Sequence, residues 1–434
     1  MTASIGSSNS SSNSSYVSTL PNGLRVLTTA LPSSQAASLS FFVRVGARNE
    51  QPRTNGLSHY IEHLLFKGTQ RRPTAALISE AIEGAGGQLN AYTSQEVTCY
   101  WNALPFEAME TGLDVLADML QHSLLDPVEI DRERTVVQHE LRRSHDSPGA
   151  WAGELIGRAV FGDQPIGWPV GGSLETVAAM QRPDFIAHIQ AHYTAQNAVL
   201  SVAGHVQHAQ VVELAERHFG DLARGTPPEG APARHGLPAE HVIVEERPIE
   251  QTNLVLSMQA IGRRDPDRYA LDVMNTVLGR GMSSRLFTEV RERRGLAYSV
   301  GSGTDRMRDI GTLTVSAGVT REHEEEALQV IVYELRRLVD EPVPGDELQR
   351  CIDYVAGSLR LSQETARTNG QRYGNQLIMD GELETVDETV ARIRAVTAED
   401  VQQVARRIIG PGAFALAVVG PSASADRLDA LITA

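Results

Sequence analysis

The sequence lacks a disulfide set, a basic surplus, a membrane-length apolar run and a phosphate loop. Cysteine occurs only at Cys99 and Cys351. Two cysteines cannot build a disulfide framework, neither sits in a redox motif, and a reducing compartment fits. The net charge of −15 leaves no basic surplus for nucleic acid; it favours solubility and, mildly, basic peptide substrates drawn by long-range attraction. No apolar run approaches the ~20 residues of a bilayer span, and no GxxxxGK[ST] loop is present. The opening stretch, MTASIGSSNSSSNSSY, has no apolar core and no arginine, unlike a secretory signal or transit peptide. Its Ser and Asn content predicts a disordered tail over residues 1–15. These features predict a cytoplasmic protein that engages neither membrane nor nucleic acid.

What is present is ample core material. The 434 residues are 41% hydrophobic and 21% charged, enough for two or three domains that fold without covalent staples. Residues 16–47 turn and alternate as β-structure, with a hairpin signal at Asn22-Gly23. Apolar spacing predicts helices over 56–67, 74–87, 106–125, 128–143 and 208–219. QLNAYTSQEVTCYW (88–101) predicts two strands with a turn near Ser94, and NAVLSVAG (197–204) a buried strand. Composition then breaks at GTPPEGAPARHGLPAE (225–240), a linker rich in proline and glycine. After it the order of elements starts again: HVIVEE and NLVLSMQAI as strands, DRYALDVMNTVL as a helix, a β-region flanked by VRERRGLAYSVGS and IGTLTVSAGV, a helix over REHEEEALQVIVYELRRLV, a long helix near 346–368, and AFALAVVG (413–420) closing the second half as NAVLSVAG closes the first.

The chain therefore predicts an α+β fold of two homologous domains, 16–224 and 241–434, each a sheet packed with helices. Setting HLLFKG (63–68) over VLGRG (277–281) places Asp272, Asn275 and Thr276 opposite His59, Glu62 and His63. A core face would be apolar in both copies, whereas a chemical site belongs in one, so the asymmetry points to function.

That site lies in GLSHYIEHLLFKGT (56–69). On a helix, residues i and i+4 share a face, so His59 and His63 can bring two imidazoles to one ion about 2 Å away. Glu62, at i+3 from His59, is placed to hold a water there and take its proton. His-x-x-Glu-His is the inverted zinc-protease motif, in which zinc lowers the pKa of water and a glutamate serves as base. A solvated helix face is the plain alternative, but Leu57, Ile61, Leu64 and Leu65 set the histidines at the edge of a core. A catalytic zinc takes three protein ligands. In RERTVVQHEL (132–141), Glu133 and Glu140 are seven apart on one helix face, and either could be the third, whereas His139 lies about 100° round. His188 and His192 are also four apart, without a glutamate, in a segment that reads as an ordinary amphipathic helix. His205 and His208 flank a strand-to-helix turn, where capping or solvation suffices.

VGARNEQPRTNGLSHYIEHLLFKGT, with GGQLNAYTSQEVTCYW, RERTVVQHEL and GMSSRLFTEVRERRGLAYSV, resembles the pitrilysin family of zinc peptidases over nearly the whole chain from Tyr16. Its short bacterial members and the mitochondrial processing peptidase catalytic subunit are the nearest branch. The resemblance implies one Zn2+ per chain on His59, His63 and Glu140, Glu62 as general base, and Glu133 supporting the site without ligating. The residue before the third ligand is acidic in many members and is His139 here. The resemblance also implies substrate added as a strand beside Asn90, Ala91 and Tyr92, and Arg291 and Tyr298 as donors to the peptide carbonyl and developing oxyanion. The chain is half the length that closes a chamber in this family. A homodimer is therefore implied, with Arg291 and Tyr298 serving the partner's zinc. A heterodimeric processing peptidase, or a structural subunit that keeps a metal, are the alternatives. LGRGMSSRLF is too short for the glycine-rich loop of the non-catalytic processing subunit.

Overall fold

The computed structural model describes residues 3–5, 14–226 and 228–433. Seven strands form a first sheet: β1 (Ala3–Ile5), β2 (Ser14–Thr19), β3 (Arg25–Ala30), β4 (Ala36–Val43), β5 (Gln88–Thr93), β6 (Thr98–Pro105) and β7 (Ala198–Gly204). Their order is β1-β2-β3-β7-β4-β6-β5. Five more form a second sheet: β8 (Val242–Glu245), β9 (Gln251–Ala260), β10 (Ala297–Arg306), β11 (Gly311–Thr320) and β12 (Ala415–Val419), in the order β10-β11-β9-β12-β8.

The internal repeat is explicit in this pairing. In the first sheet β3 runs parallel to β7, and β7, β4, β6 and β5 follow antiparallel. In the second, β8 runs parallel to β12, and β12, β9, β11 and β10 follow antiparallel. The fold is thus α+β with two related sheets, as the restart of the element pattern at 241 predicts.

Alternation along the strands gives each sheet two apolar faces. On the first sheet, Leu39 and Phe41 of β4 and Leu200 and Val202 of β7 face one layer of helices, including Leu57–Leu64, Met109–His122 and Arg182–His192. Phe42 and Val199 face the other way, where Cys99, Trp101 and Leu27 pack against Tyr373, Leu377 and Ile378 of helix Ala366–Asp380. Close approach there requires a glycine: a Cβ on Gly374 would lie 2.2 Å from the Phe42 ring. On the second sheet, Leu254, Leu256 and Met258 face helix Arg268–Gly279, while Val255, Ala415, Ala417 and Val419 pack on Ala152, Ile156, Ala159 and Val160 of helix Pro148–Phe161.

The compact units are consequently not the sequential halves. One comprises residues through Leu141, Pro169–Ala231 and Leu361–Glu384; the other comprises Arg142–Trp168, Pro232–Arg360 and Thr385 onward. This corrects the expected boundaries, 16–224 and 241–434, because each half lends one helix to the sheet of the other. The 225–240 segment carries no helix or strand among its described residues. The single helix expected near 346–368 is two: Gly345–Leu361, then Ala366–Asp380. Thr365 caps the second by accepting from the Thr368 amide, and the break lets the chain pass from one unit to the other. Of the tail expected over 1–15, residues 1, 2 and 6–13 lie outside the described residues, while Ala3–Ile5 pairs with β2 and Ser14 and Ser15 belong to β2. Both cysteines are buried and free. Among the described residues no helix is long and apolar enough to cross a membrane.

Candidate metal centre

Helix Leu57–Leu64 is entered through Gly56 at φ +97°. A Cβ there would sit 2.5 Å from the Gly171 carbonyl oxygen, so glycine is required on both counts. The first amides of a helix need acceptors, and Glu50 supplies them. It accepts from Gly56 N at 2.7 Å, Ser58 N at 2.6 Å and Asn55 Nδ2 at 3.0 Å. Burial pushes the Glu50 carboxyl pKa up, against the pull of these donors. Leu57, Tyr60, Ile61 and Leu64 are buried, which leaves His59, Glu62 and His63 at the rim.

Glu140, on helix Pro127–Asp146, faces both imidazoles. Its Oε2 lies 3.8 Å from His59 Nε2 and 3.4 Å from His63 Nε2. Donors about 2.0–2.1 Å from a tetrahedral ion stand roughly 3.3 Å apart, so the spacing suits a small cation. Donor atoms of His59, His63 and Glu140 all lie within 4.8 Å of one another, the one such group of histidine, cysteine and carboxylate side chains found among the described residues. Glu133, one turn-pair earlier on that helix, sits behind His63. Its Oε2 accepts from His63 Nδ1 at 3.2 Å, and its Oε1 pairs with Lys67 Nζ at 2.9 Å. A proton fixed on Nδ1 turns the Nε2 lone pair toward Glu140. His59 Nδ1 is buried without a hydrogen-bond partner among the described residues. The donor set, two imidazoles and a carboxylate, fits zinc.

Burial, and then the neighbouring His63, hold the His59 pKa down to about 4. Burial also depresses His63, but its bond to Glu133 and the charges of Glu140 and Glu62 outweigh burial and raise it overall. Burial raises Glu62, strengthening it as a base, while Thr93 Oγ1 donates to its Oε2 at 2.5 Å. Glu133 is pushed up by burial yet held below the usual carboxylate range by His63 and Lys67. Thr93, Lys67 and Glu50 are absent from the motif-based expectation. The single available signal is that Lys67 is the only lysine in the chain.

Asn90 and Ala91 lie on β5, the edge of the first sheet, whose only strand neighbour among the described residues is β6. Arg291 and Tyr298 are brought together on the second unit, the guanidinium 5.4 Å from the Tyr298 ring and 4.8 Å from that of Phe287. Arg291 rides a π-helical turn, Phe287–Arg293, and Tyr298 is 84% exposed at the start of β10. The counterparts of the metal residues are tied up locally. Asp272 pairs with Arg306 at 3.0 Å, Asn275 Oδ1 accepts from Ser302 Oγ, and Thr276 Oγ1 donates to the Asp272 carbonyl. His139 is exposed. His188 and His192 are buried, their rings 4.5 Å apart, with His188 Nε2 3.3 Å from Ser58 Oγ. His208 bonds Ser18 and Thr28, and His205 stacks on Phe106.

A sheet-bearing two-unit fold with this inverted motif at one sheet edge defines the class. Residues 25–173 match the model of the insulinase family, peptidase family M16, and residues 179–355 match that of the peptidase M16 inactive domain. An uncharacterized zinc protease of Streptomyces coelicolor is 37% identical over 409 residues, 93% of this chain and 89% of that one. One from Bacillus subtilis is 33% identical over 93% of this chain and 98% of its own. Similar solved structures include a protease from Helicobacter pylori, at TM-score 0.88 and 22% identity over 94% of this chain and 100% of that one. Another is a chain of complex III2 from Candida albicans, at TM-score 0.84 and 17% identity over 96% and 99%. This chain belongs to peptidase family M16.

Proposed function

We propose that this chain is a zinc-dependent endopeptidase acting on peptides or unfolded segments, with one zinc per chain on His59, His63 and Glu140. The convergence of both Nε2 atoms on one Glu140 oxygen carries the proposal. The names of the Streptomyces and Bacillus relatives support zinc and proteolysis. When bound, zinc supplies Lewis acidity that lowers the pKa of water toward about 7 and polarises a carbonyl. The protein supplies the rest. Glu62 takes the proton from the attacking water and can return it to the leaving amine. Glu133 fixes the tautomer of His63. An extended substrate adds to the open side of β5 beside Asn90, Ala91 and Tyr92, held by main-chain bonds. Two buried free cysteines suit a reducing cytoplasm.

The test is cleavage of a flexible basic quenched-fluorescence peptide of about 10–15 residues, long enough to span an added strand, by zinc-loaded wild type and Glu62→Gln. The variant should keep its zinc and lose at least about 100-fold in kcat. Equal cleavage by both would remove Glu62 from the reaction. Zinc held by both with no cleavage by either would favour a structural subunit or one half of a heterodimer.

We also propose a homodimer in which Arg291 and Tyr298 serve the partner's zinc as oxyanion donors. Mixed Glu62→Gln and Tyr298→Phe protomers should then recover activity at one site per dimer. No recovery after demonstrated subunit exchange rules the arrangement out.

A further inference from the structure

The chain holds 39 basic side chains of lysine and arginine, and one of them is lysine. That lysine, Lys67, stands four residues after the expected zinc ligand His63, just beyond the last turn of helix Leu57–Leu64. Its amide still bonds back to the Leu64 carbonyl, which keeps Lys67 and His63 on one face. A cation at a helix C-terminus is favourable in itself, but an arginine would serve that purpose, as arginine serves every other basic position here. What differs at this position is its partner.

Glu133 is 5% exposed and accepts on both oxygens, from Lys67 Nζ on one and His63 Nδ1 on the other. A buried carboxylate with one partner removed is left poorly compensated. Without that partner the side chain is free to swing toward water, away from Nδ1. A compact ammonium reaches one oxygen as a point charge and leaves the second free; a planar guanidinium fork tends to take both. Lysine is thus suited to a carboxylate whose other oxygen must hold a histidine.

We propose that Lys67 is a positioning residue of the metal centre: through Glu133 it holds His63 in the tautomer and orientation that bind zinc. This rests on the metal-site reading above. The consequence is that the chain's single side-chain amine controls zinc affinity from outside the ligand set.

The experiment is zinc affinity by chelator competition on wild type, Lys67→Met and Lys67→Arg, read independently of cleavage. Loss of an outer-shell partner typically weakens metal binding about 10–100-fold. That loss is expected for Lys67→Met, with Lys67→Arg recovering less than half of it on a logarithmic scale, because its fork restores the charge but competes with His63 for the second Glu133 oxygen. Unchanged affinity in Lys67→Met overturns the proposal, as does tighter binding, which simple repulsion between ammonium and zinc would give. If Lys67→Met fails to fold, acetylation of folded wild type replaces it. An amine-selective reagent has only Lys67 and the α-amino group as amine targets, and Lys67→Arg treated alike corrects for the latter and for acylation elsewhere. Affinity loss confined to acetylated wild type supports the proposal, and equal response of the two proteins overturns it. Zinc bound by wild type without peptide cleavage would defeat the endopeptidase reading and leave the Lys67 result standing. No zinc bound by wild type would defeat both.

Discussion

At the scale of single residues, the centre depends on contacts that fix orientation. Glu62 is held by the Thr93 hydroxyl, and Thr93 ends the same edge strand on which substrate is proposed to add. Thr93→Val should lower kcat roughly tenfold, part of the range general bases supply, with zinc content and KM unchanged, and Thr93→Ser should restore it; steady-state kinetics beside metal analysis would show this. His188 and His192 lead to a prediction about acid. Burial, joined by His192, holds His188 to about 3, and burial holds His192 to about 4, both below the roughly 6.5 of an unfolded histidine. As pH falls from about 6.5 the unfolded chain binds protons that the folded chain refuses, so stability declines from there toward pH 3–4. Urea midpoints at several pH values should fall over this window, and less steeply in His188→Asn than in wild type. That His59, Glu62 and His63 share a face and meet a carboxylate from residues 132–141 was legible from spacing. The choice between Glu133 and Glu140 was not, since both lie on one helix face seven residues apart and only tertiary placement sets one before both imidazoles and the other behind His63. Thr93 and Lys67 were illegible for a related reason. A hydroxyl or ammonium in a chain signals nothing until another element brings a carboxylate to it.

At the scale of elements, the helix that carries His59 and His63 is short, and its entry does much to hold it. Gly56 takes a left-handed turn against Gly171 and Gly172, and Glu50 gathers the helix's first amides. Gly56→Ala should destabilise the fold by at least about 1–3 kcal/mol from backbone strain alone, before the clash with Gly171. Its thermal midpoint should drop, and zinc affinity should drop with it, because the two histidines ride on that helix. The strands and most helices were legible because period two and period 3.6 are written locally. Helix His208–Phe219 follows the expected bounds, and the two strands over 88–105 turn at Ser94 as composition suggests. The segment near 346–368 was not legible as two helices: no proline or glycine interrupts Ser362–Glu364, and only the Thr365 cap marks a new start.

At the scale of the molecule, the duplicated plan was legible from the restart of elements after the linker, but the exchange of helices was not. An apolar stripe on a helix states that the helix must be covered, not which sheet covers it. Cutting the chain at the linker should therefore fail where the sequence suggests it would succeed. Residues 1–231 alone lack helix Ala366–Asp380 and leave Phe42, Trp101 and Val199 without Tyr373, Leu377 and Ile378. That fragment should be aggregated or molten by circular dichroism and dye binding, and supplying residues 232–434 in the same cell should rescue it. A fragment that melts cooperatively by itself would show that the borrowed helix is dispensable.

The borrowed helix also sets a clock. During synthesis the first unit must keep one face of its sheet uncovered until residues 366–380 leave the ribosome, about 150 residues after Ala231. At 5–20 residues per second this is roughly 10–30 s, long compared with the collapse of a domain of that size. For that interval the nascent chain presents an apolar sheet face to the cell. The unit that carries His59, His63 and Glu140 is begun first, yet waits for a segment of the second half.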